Sequence, residues 1–259
     1  MRLIDTHAHL EIDKLNKILD KVIQGAQEAG LIGILTASVW LDTAPIVLEI
    51  AKKYKNFVFP CLGFAPTEVK NKPVNFEPFV KFVKENYTKM VGLGEIGLDY
   101  HWILDKEVRK EVEKRFVELI QLGNELNKPI VIHCRDAELR TIELLEEYCA
   151  SDKVHMHCFS GDVNLIRRCL KNGWYFSVPA SLMSAKRPYY KKLAEKVPLD
   201  RMFLETDAPF QSPPKTKYPN EPKNISISVA QIARIKNTST TNVAETTTNN
   251  AIEFYSLPL

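Results

Sequence analysis

Strand-length apolar runs and helix-spaced segments alternate eight times along this chain, and that alternation constrains the fold more than any other feature. The strands centre on Ile4, Ile34, Val58, Val91, Val131, Met156, Phe176 and Leu204, with the fourth expected over residues 90–94. Residues 14–29 carry Leu15, Ile18, Leu19, Val22, Ile23 and Ala26 at helical spacing, ending at Gly30. Further helices are predicted over residues 45–54, 76–86, 106–126, 139–149, 163–171 and 189–197, the longest closed by Asn127-Lys128-Pro129. Eight βα repeats in about 250 residues specify a (β/α)8 TIM barrel of the α/β class, with an open doubly wound sheet as the alternative.

The end of the chain sends a mixed signal. Residues 237–250 are crowded with Thr and Asn, the composition of a solvated linker. Yet Val229, Ile232, Ile235, Val243, Ala251, Ile252 and Phe254 recur at near-helical intervals, so two closing helices with their polar residues toward solvent are expected. With 45% apolar side chains and no break in composition, one domain over residues 1–259 is expected. A net charge of +3 is far from the charge density of a dedicated nucleic-acid-binding tail. The five cysteines are odd in number and form no C-x-x-C, which argues against a disulfide framework or a cysteine zinc site and favours a reducing interior. No basic-then-apolar leader opens the chain and no run of about 18 apolar residues occurs, so a soluble, cytoplasmic protein without membrane contact is expected.

Barrel enzymes keep their chemistry at the carboxyl ends of the strands. In Ile4-Asp5-Thr6-His7-Ala8-His9, the period of two turns His7 and His9 to one face while Ala8 points away. The fourth strand is read as ending at Glu95, the fifth at His133, the sixth at His157 and the eighth at Asp207. Four imidazoles and two carboxylates then converge at one mouth. The inventory suits two divalent ions, one held by His7, His9 and Asp207, the other by His133 and His157, with Glu95 as the bridge. A carboxylated-lysine bridge finds no candidate, because Lys89 lies before the fourth strand. Each residue also has a plainer role: a rim histidine, a turn cap beside Gly94 and Gly97 for Glu95, a turn former before Pro209 for Asp207. The coincidence of six at strand ends favours the common purpose.

Parity sorts the neighbours. Cys134 and Cys158 follow ligand histidines by one residue and are expected to point outward as core fillers. Glu205, His155 and Asp5 precede ligands by two and face the interior one layer deeper. Glu205 is a candidate for orienting a ligand, His155 is read as a packed interior histidine, and Asp5 has the same two choices. His101, beyond the strand end, stays outside the metal set.

Five segments carry a resemblance: Ile4-Asp5-Thr6-His7-Ala8-His9, Gly94-Glu95-Ile96-Gly97-Leu98-Asp99-Tyr100, Pro129-Ile130-Val131-Ile132-His133-Cys134-Arg135-Asp136-Ala137, His157-Cys158-Phe159-Ser160-Gly161 and Leu204-Glu205-Thr206-Asp207-Ala208-Pro209. In order and across nearly the whole chain, they resemble the TatD-type metal-dependent hydrolases of the amidohydrolase-like barrel superfamily. The resemblance implies metal ligands at His7, His9, Glu95, His133, His157 and Asp207. It also implies nuclease activity on DNA, often from the 3′ end, with Mg²⁺, Mn²⁺ or Zn²⁺. One departure stands out: where the family has Gly-x-His-Pro after the third strand, this chain reads Gly63-Phe64-Ala65-Pro66. The histidine thought to help hold or protonate the substrate is absent.

The expected reaction is two-metal hydrolysis of a DNA phosphodiester, exonuclease-like and possibly 3′ to 5′, on single-stranded DNA or free ends. Asp207 is the general base, Glu95 the bridge and Arg135 the phosphate partner unless it pairs with Asp136 or Glu138. The loop with Lys215, Lys217 and Tyr218 offers phosphate and base contacts or is plain solvated surface. Mixed nitrogen and oxygen ligands accept Mg²⁺, Mn²⁺, Zn²⁺ or Co²⁺ alike. The alternatives are a metal-dependent hydrolase of another ester, lactone, amide or phosphotriester bond, or a weakly active metal-binding protein.

Overall fold

The computed structural model describes residues 1–259. Eight parallel strands pair in sequence order: β1 (Leu3–Ala8), β2 (Leu31–Ala37), β3 (Val58–Leu62), β4 (Gly92–Asp99), β5 (Ile130–Arg135), β6 (Val154–Met156), β7 (Tyr175–Pro179) and β8 (Met202–Glu205). The chain just past β8 returns to β1, where Asp207 N–H donates to the His7 carbonyl at 2.9 Å and His9 N–H to the Ala208 carbonyl at 2.7 Å. Those two bonds join the first and last strands, so the expected barrel forms rather than an open sheet.

Eleven α-helices surround the strands: α1 (Asp13–Asn16), α2 (Leu19–Glu28), α3 (Ala44–Lys53), α4 (Pro66–Asn71), α5 (Phe76–Asn86), α6 (Lys106–Leu126), α7 (Glu138–Tyr148), α8 (Val163–Lys171), α9 (Pro188–Lys196), α10 (Ile225–Lys236) and α11 (Thr240–Tyr255). Their inward stripes and the outward faces of the strands form one buried apolar layer, running from Leu3 through Ile132 and Val178 to Val243. Two helices start on aspartate caps, Asp105 for α6 and Asp162 for α8, each accepting two backbone N–H groups. Helix α6 stops where Asn127 turns left-handed and Pro129 follows.

Three expectations are corrected. The first helical segment is two helices, because Ile18 leaves helical geometry and is exposed rather than part of the buried stripe. The fourth strand does not stop at Gly94: it runs to Asp99, with a register irregularity against β5 between Leu93 and Ile96. Gly97 is therefore inside the strand, where φ of 144° and a backbone approach to His133 leave no room for a Cβ. The Thr/Asn-rich tail is helical, but its polar residues do not all face water. Thr247 and Thr248 are buried, and Thr248 donates to the Arg2 carbonyl while Asn250 donates to the carbonyls of Leu199 and Met202. These polar groups tie α11 to the barrel by capping strand and turn carbonyls.

Helix α11 closes the end opposite the strand tips. Phe254, Tyr255 and Leu257 pack against Leu35, Phe59, Val131 and Phe203, and the Tyr255 hydroxyl lies 2.6 Å from Nδ1 of His155. With Ser177 Oγ on its other nitrogen at 2.7 Å, His155 is the packed interior histidine expected, and burial holds its imidazole down to about 3. One end of the barrel is plugged; the other is left to the site.

Candidate metal centre

The strand tips bring all six expected side chains together. His7 and His9 share the inner face of β1 and its extension, with their Nε2 atoms 3.2 Å apart. Glu95 reaches the same cup from the irregular part of β4, so it is a mid-strand residue rather than the strand end expected. Its carboxylate divides the cup. Oε2 lies 3.5 Å from His7 Nε2 and 3.4 Å from His9 Nε2, whereas Oε1 lies 2.7 Å from His133 Nδ1 and 3.5 Å from His157 Nε2. Asp207 Oδ1 stands 3.5 Å from His9 Nε2 and 3.9 Å from His7 Nε2, on the Oε2 side. Gly63 makes this approach possible, since a Cβ there would meet the Glu95 backbone nitrogen at 2.0 Å.

The latch at the barrel seam sets the Asp207 position. The carboxylate of Asp5 accepts from Thr206 N–H at 2.9 Å, from Thr206 Oγ1–H at 2.5 Å and from His7 N–H at 3.3 Å. Asp5 thus holds the first strand to the segment that carries Asp207, with burial pushing its carboxyl up to about 8 against those three donors.

Each of three histidines spends one ring nitrogen on an oxygen outside the cup. His9 Nδ1 is 2.9 Å from the Ala37 carbonyl, and a carbonyl can only accept, so that nitrogen carries the proton and Nε2 turns a lone pair inward. His157 Nδ1 meets Glu205 at 3.2 Å, and Glu205 also accepts from Cys158 N–H at 2.8 Å. Burial works against ionisation of Glu205, but the neighbouring His157 outweighs it and brings the carboxyl to about 2. His133 Nε2 meets Asp99 at 3.0 Å while its Nδ1 faces Glu95. Glu205 was expected as an orienting group; Asp99 was not assigned. Its signal was in the sequence, since residues 95, 97 and 99 share one strand face.

The result is a set of inward nitrogen lone pairs and carboxylate oxygens with no donor to match them. Without a cation, protons must fill the gap. Burial opposes charge on His133, but Glu95 and Asp99 raise its imidazole to about 9. His9 and His157 also lie well above the ordinary value despite burial, through Asp207 for His9 and through Cys158 and Glu95 for His157. Glu95 is held well below its ordinary range by His157 and His133 in spite of burial. His7 alone goes down, from burial and from His157 stacked 4.0 Å away. Borderline nitrogen and hard oxygen donors in this number, three of the four histidines braced from behind, fit divalent cations. Three groupings have ligand atoms close enough to share an ion: His7, His9 and Glu95; Glu95, His133 and His157; and His7, His157 and Glu205, the last through the carboxylate that already braces His157.

Above the cup is a cavity of about 490 Å³. Arg135 lines it and pairs with neither candidate carboxylate, because His101 takes Asp136 and Ser160 takes Glu138. Ala65 lines it at the position of the missing histidine. Lys215, Lys217 and Tyr218 do not line it; Phe210 and Gln211 from the same connection do. Cys134 is buried in the apolar layer and also borders the cavity; Cys158 packs against the same layer but is only partly buried. With β6 ending at Met156, Cys158 adopts φ of 45°, strand parity lapses, and its side chain borders the cavity.

The same motifs match a family model described as TatD related DNase over residues 4–256. The chain belongs to that family. This TatD-family chain is 32% identical to human deoxyribonuclease TATDN3 over 98% of its own length and 94% of the relative's. It is 34% identical to the Bacillus subtilis metal-dependent hydrolase YabD, covering 96% and 97% of the two chains. Its barrel superposes on YjjV, the TatD homologue of Escherichia coli K12, with a TM-score of 0.91 at 22% identity, covering 99% and 98%. The protein is a metal-dependent hydrolase. None of its helices is long and apolar enough to cross a membrane.

Proposed function

We propose that this chain hydrolyses DNA phosphodiester bonds with two divalent cations, acting from a free end. The observation that carries the reading is the division of Glu95, with one oxygen toward His7 and His9 and the other toward His133 and His157. His7, His9 and Asp207 would hold one ion and His133 and His157 the other, with Glu95 between them. Bound there, the cations supply Lewis acidity at a phosphoryl oxygen and acidify water toward neutrality. Asp207 would take the proton from the attacking water at its carboxylate as the new oxygen–phosphorus bond forms and the bond to the sugar oxygen breaks, the leaving oxygen taking up a proton from solvent water to become the product hydroxyl. Arg135 is free to hold a non-bridging phosphate oxygen. The names of the relatives, deoxyribonuclease above all, support DNA as the substrate.

A 3′- and a 5′-labelled single-stranded oligonucleotide, incubated with Mg²⁺, Mn²⁺, Zn²⁺ or Co²⁺ and then with EDTA, tests the reading and gives the polarity. Loss of terminal nucleotides that EDTA stops is the expected result. One observation favours another substrate: Ala65 gives the cavity wall an apolar methyl where a substrate-holding imidazole would stand. Turnover of a lactone or amide panel with no cleavage of DNA would select that reading.

A further inference from the structure

The rim of the cavity carries apolar surface that the barrel core does not explain. Trp102, on the connection after β4, is 59% exposed, and Phe210, on the connection after β8, is 45% exposed. Both line the cavity above the cup, and Phe210 stands edge-on to His9 with ring centroids 5.8 Å apart. Two guanidinium groups stand at the same rim. The Arg135 guanidinium lies 5.7 Å from the Trp102 ring centre, and Arg187 lines the same cavity. Neither arginine takes part in an ion pair of the chain, the carboxylates beside Arg135 being taken by His101 at Asp136 and by Ser160 at Glu138. Two aromatic side chains and two guanidinium groups therefore line an opening whose floor, the cup of imidazoles and carboxylates, is nearly closed to solvent, His7, His9 and Glu95 all being buried.

We propose that Trp102 and Phe210 form the stacking platform for the terminal base of a single DNA strand, with Arg135 and Arg187 on the phosphates beside it, so that the rim selects an unpaired end. This rests on the phosphodiesterase reading above. A cavity of about 490 Å³ is the size that takes a small ligand rather than a double helix, so the scissile phosphate reaches the buried cup only as a single strand. Aromatic faces beside a basic track serve any base, because every base has a π face, whereas a paired and stacked end has no free face to offer. The rim guanidinium groups neutralise phosphate charge where the strand enters.

The test compares a single-stranded oligonucleotide with one whose terminal residue, at the end from which cleavage starts, is abasic. Wild-type protein loses roughly 5- to 150-fold in kcat/KM on the abasic end, the range that base–aromatic stacking supplies. In Trp102→Ala that penalty shrinks to about 2-fold or less, and Trp102→Phe restores most of it, as a stacking role requires. Phe210→Ala shrinks it in part. Thermal melting of each variant separates a lost contact from a lost fold. If wild-type protein cleaves the oligonucleotide but both alanine variants keep the full abasic penalty, or if a blunt duplex is cleaved as fast as the single strand, the platform is wrong while the nuclease reading stands. If no oligonucleotide is cleaved with any of the four metals, both fall together.

Discussion

Asp99 and His133 form a carboxylate–imidazole pair at 3.0 Å, and the second nitrogen of the same ring points 2.7 Å away at Glu95. The pair fixes which nitrogen of His133 is presented to the cup. Removing the charge while keeping the shape, as in Asp99→Asn, weakens the hold on the ring and lowers its basicity. Metal affinity at that half of the cup falls by about 10- to 100-fold, the usual cost of losing such a partner. Titration of the metal-free variant with Mn²⁺ checks this, and Glu205→Gln should weaken the same half through His157.

Asp207→Asn removes the proton acceptor and leaves a side chain of equal size. Turnover drops by about 10²- to 10⁴-fold, the usual contribution of a positioned base, while the far-ultraviolet spectrum and melting temperature stay close to wild type. Single-turnover cleavage of a labelled oligonucleotide reads the loss.

The six expected side chains were legible because strand periodicity and the barrel rule together say where a polar residue at a strand tip must point. Asp99 escaped because Gly94 and Gly97 look like a turn. Only the backbone shows that Gly97 is a strand residue pressed against His133, within a strand that runs on to Asp99. Cys158 is only partly a core residue for the opposite reason, a strand that ends earlier than its sequence suggests. The buried threonines of α11 read as solvated because composition cannot tell a hydroxyl facing water from one that caps a distant carbonyl. Trp102 and Phe210 sit on long connections whose path no periodicity describes.

Metal-free protein should lose stability as pH rises. His133 has its folded value raised from 6.5 to about 9, so the stability it contributes is present below 6.5 and disappears as pH passes about 9. Asp5, raised by burial from 3.8 to about 8, acts in the same direction over its own lower window. Bound cations take the place of the cup protons, so metal uptake near pH 7 releases protons and tightens as pH rises. Melting temperatures from pH 6 to 9, with EDTA and with Mn²⁺, should diverge: falling without metal, flat or rising with it.

The seam latch has its own signature. Thr206→Val deletes the hydroxyl that donates to Asp5 and leaves a buried carboxylate oxygen without that partner, a loss of about 1–3 kcal/mol. Urea unfolding should show a lower midpoint with an unchanged slope, and activity per folded molecule should also fall, since the latch holds the backbone of Asp207.

The central claim is that one carboxylate divides the cup between two cations. A crystal soaked in Mn²⁺ and measured at the manganese absorption edge tests it most directly. Two anomalous peaks, one beside Glu95 Oε2 with His7, His9 and Asp207 and one beside Oε1 with His133 and His157, are the predicted result. No peak in the cup, or manganese bound only by residues outside this set, would contradict it.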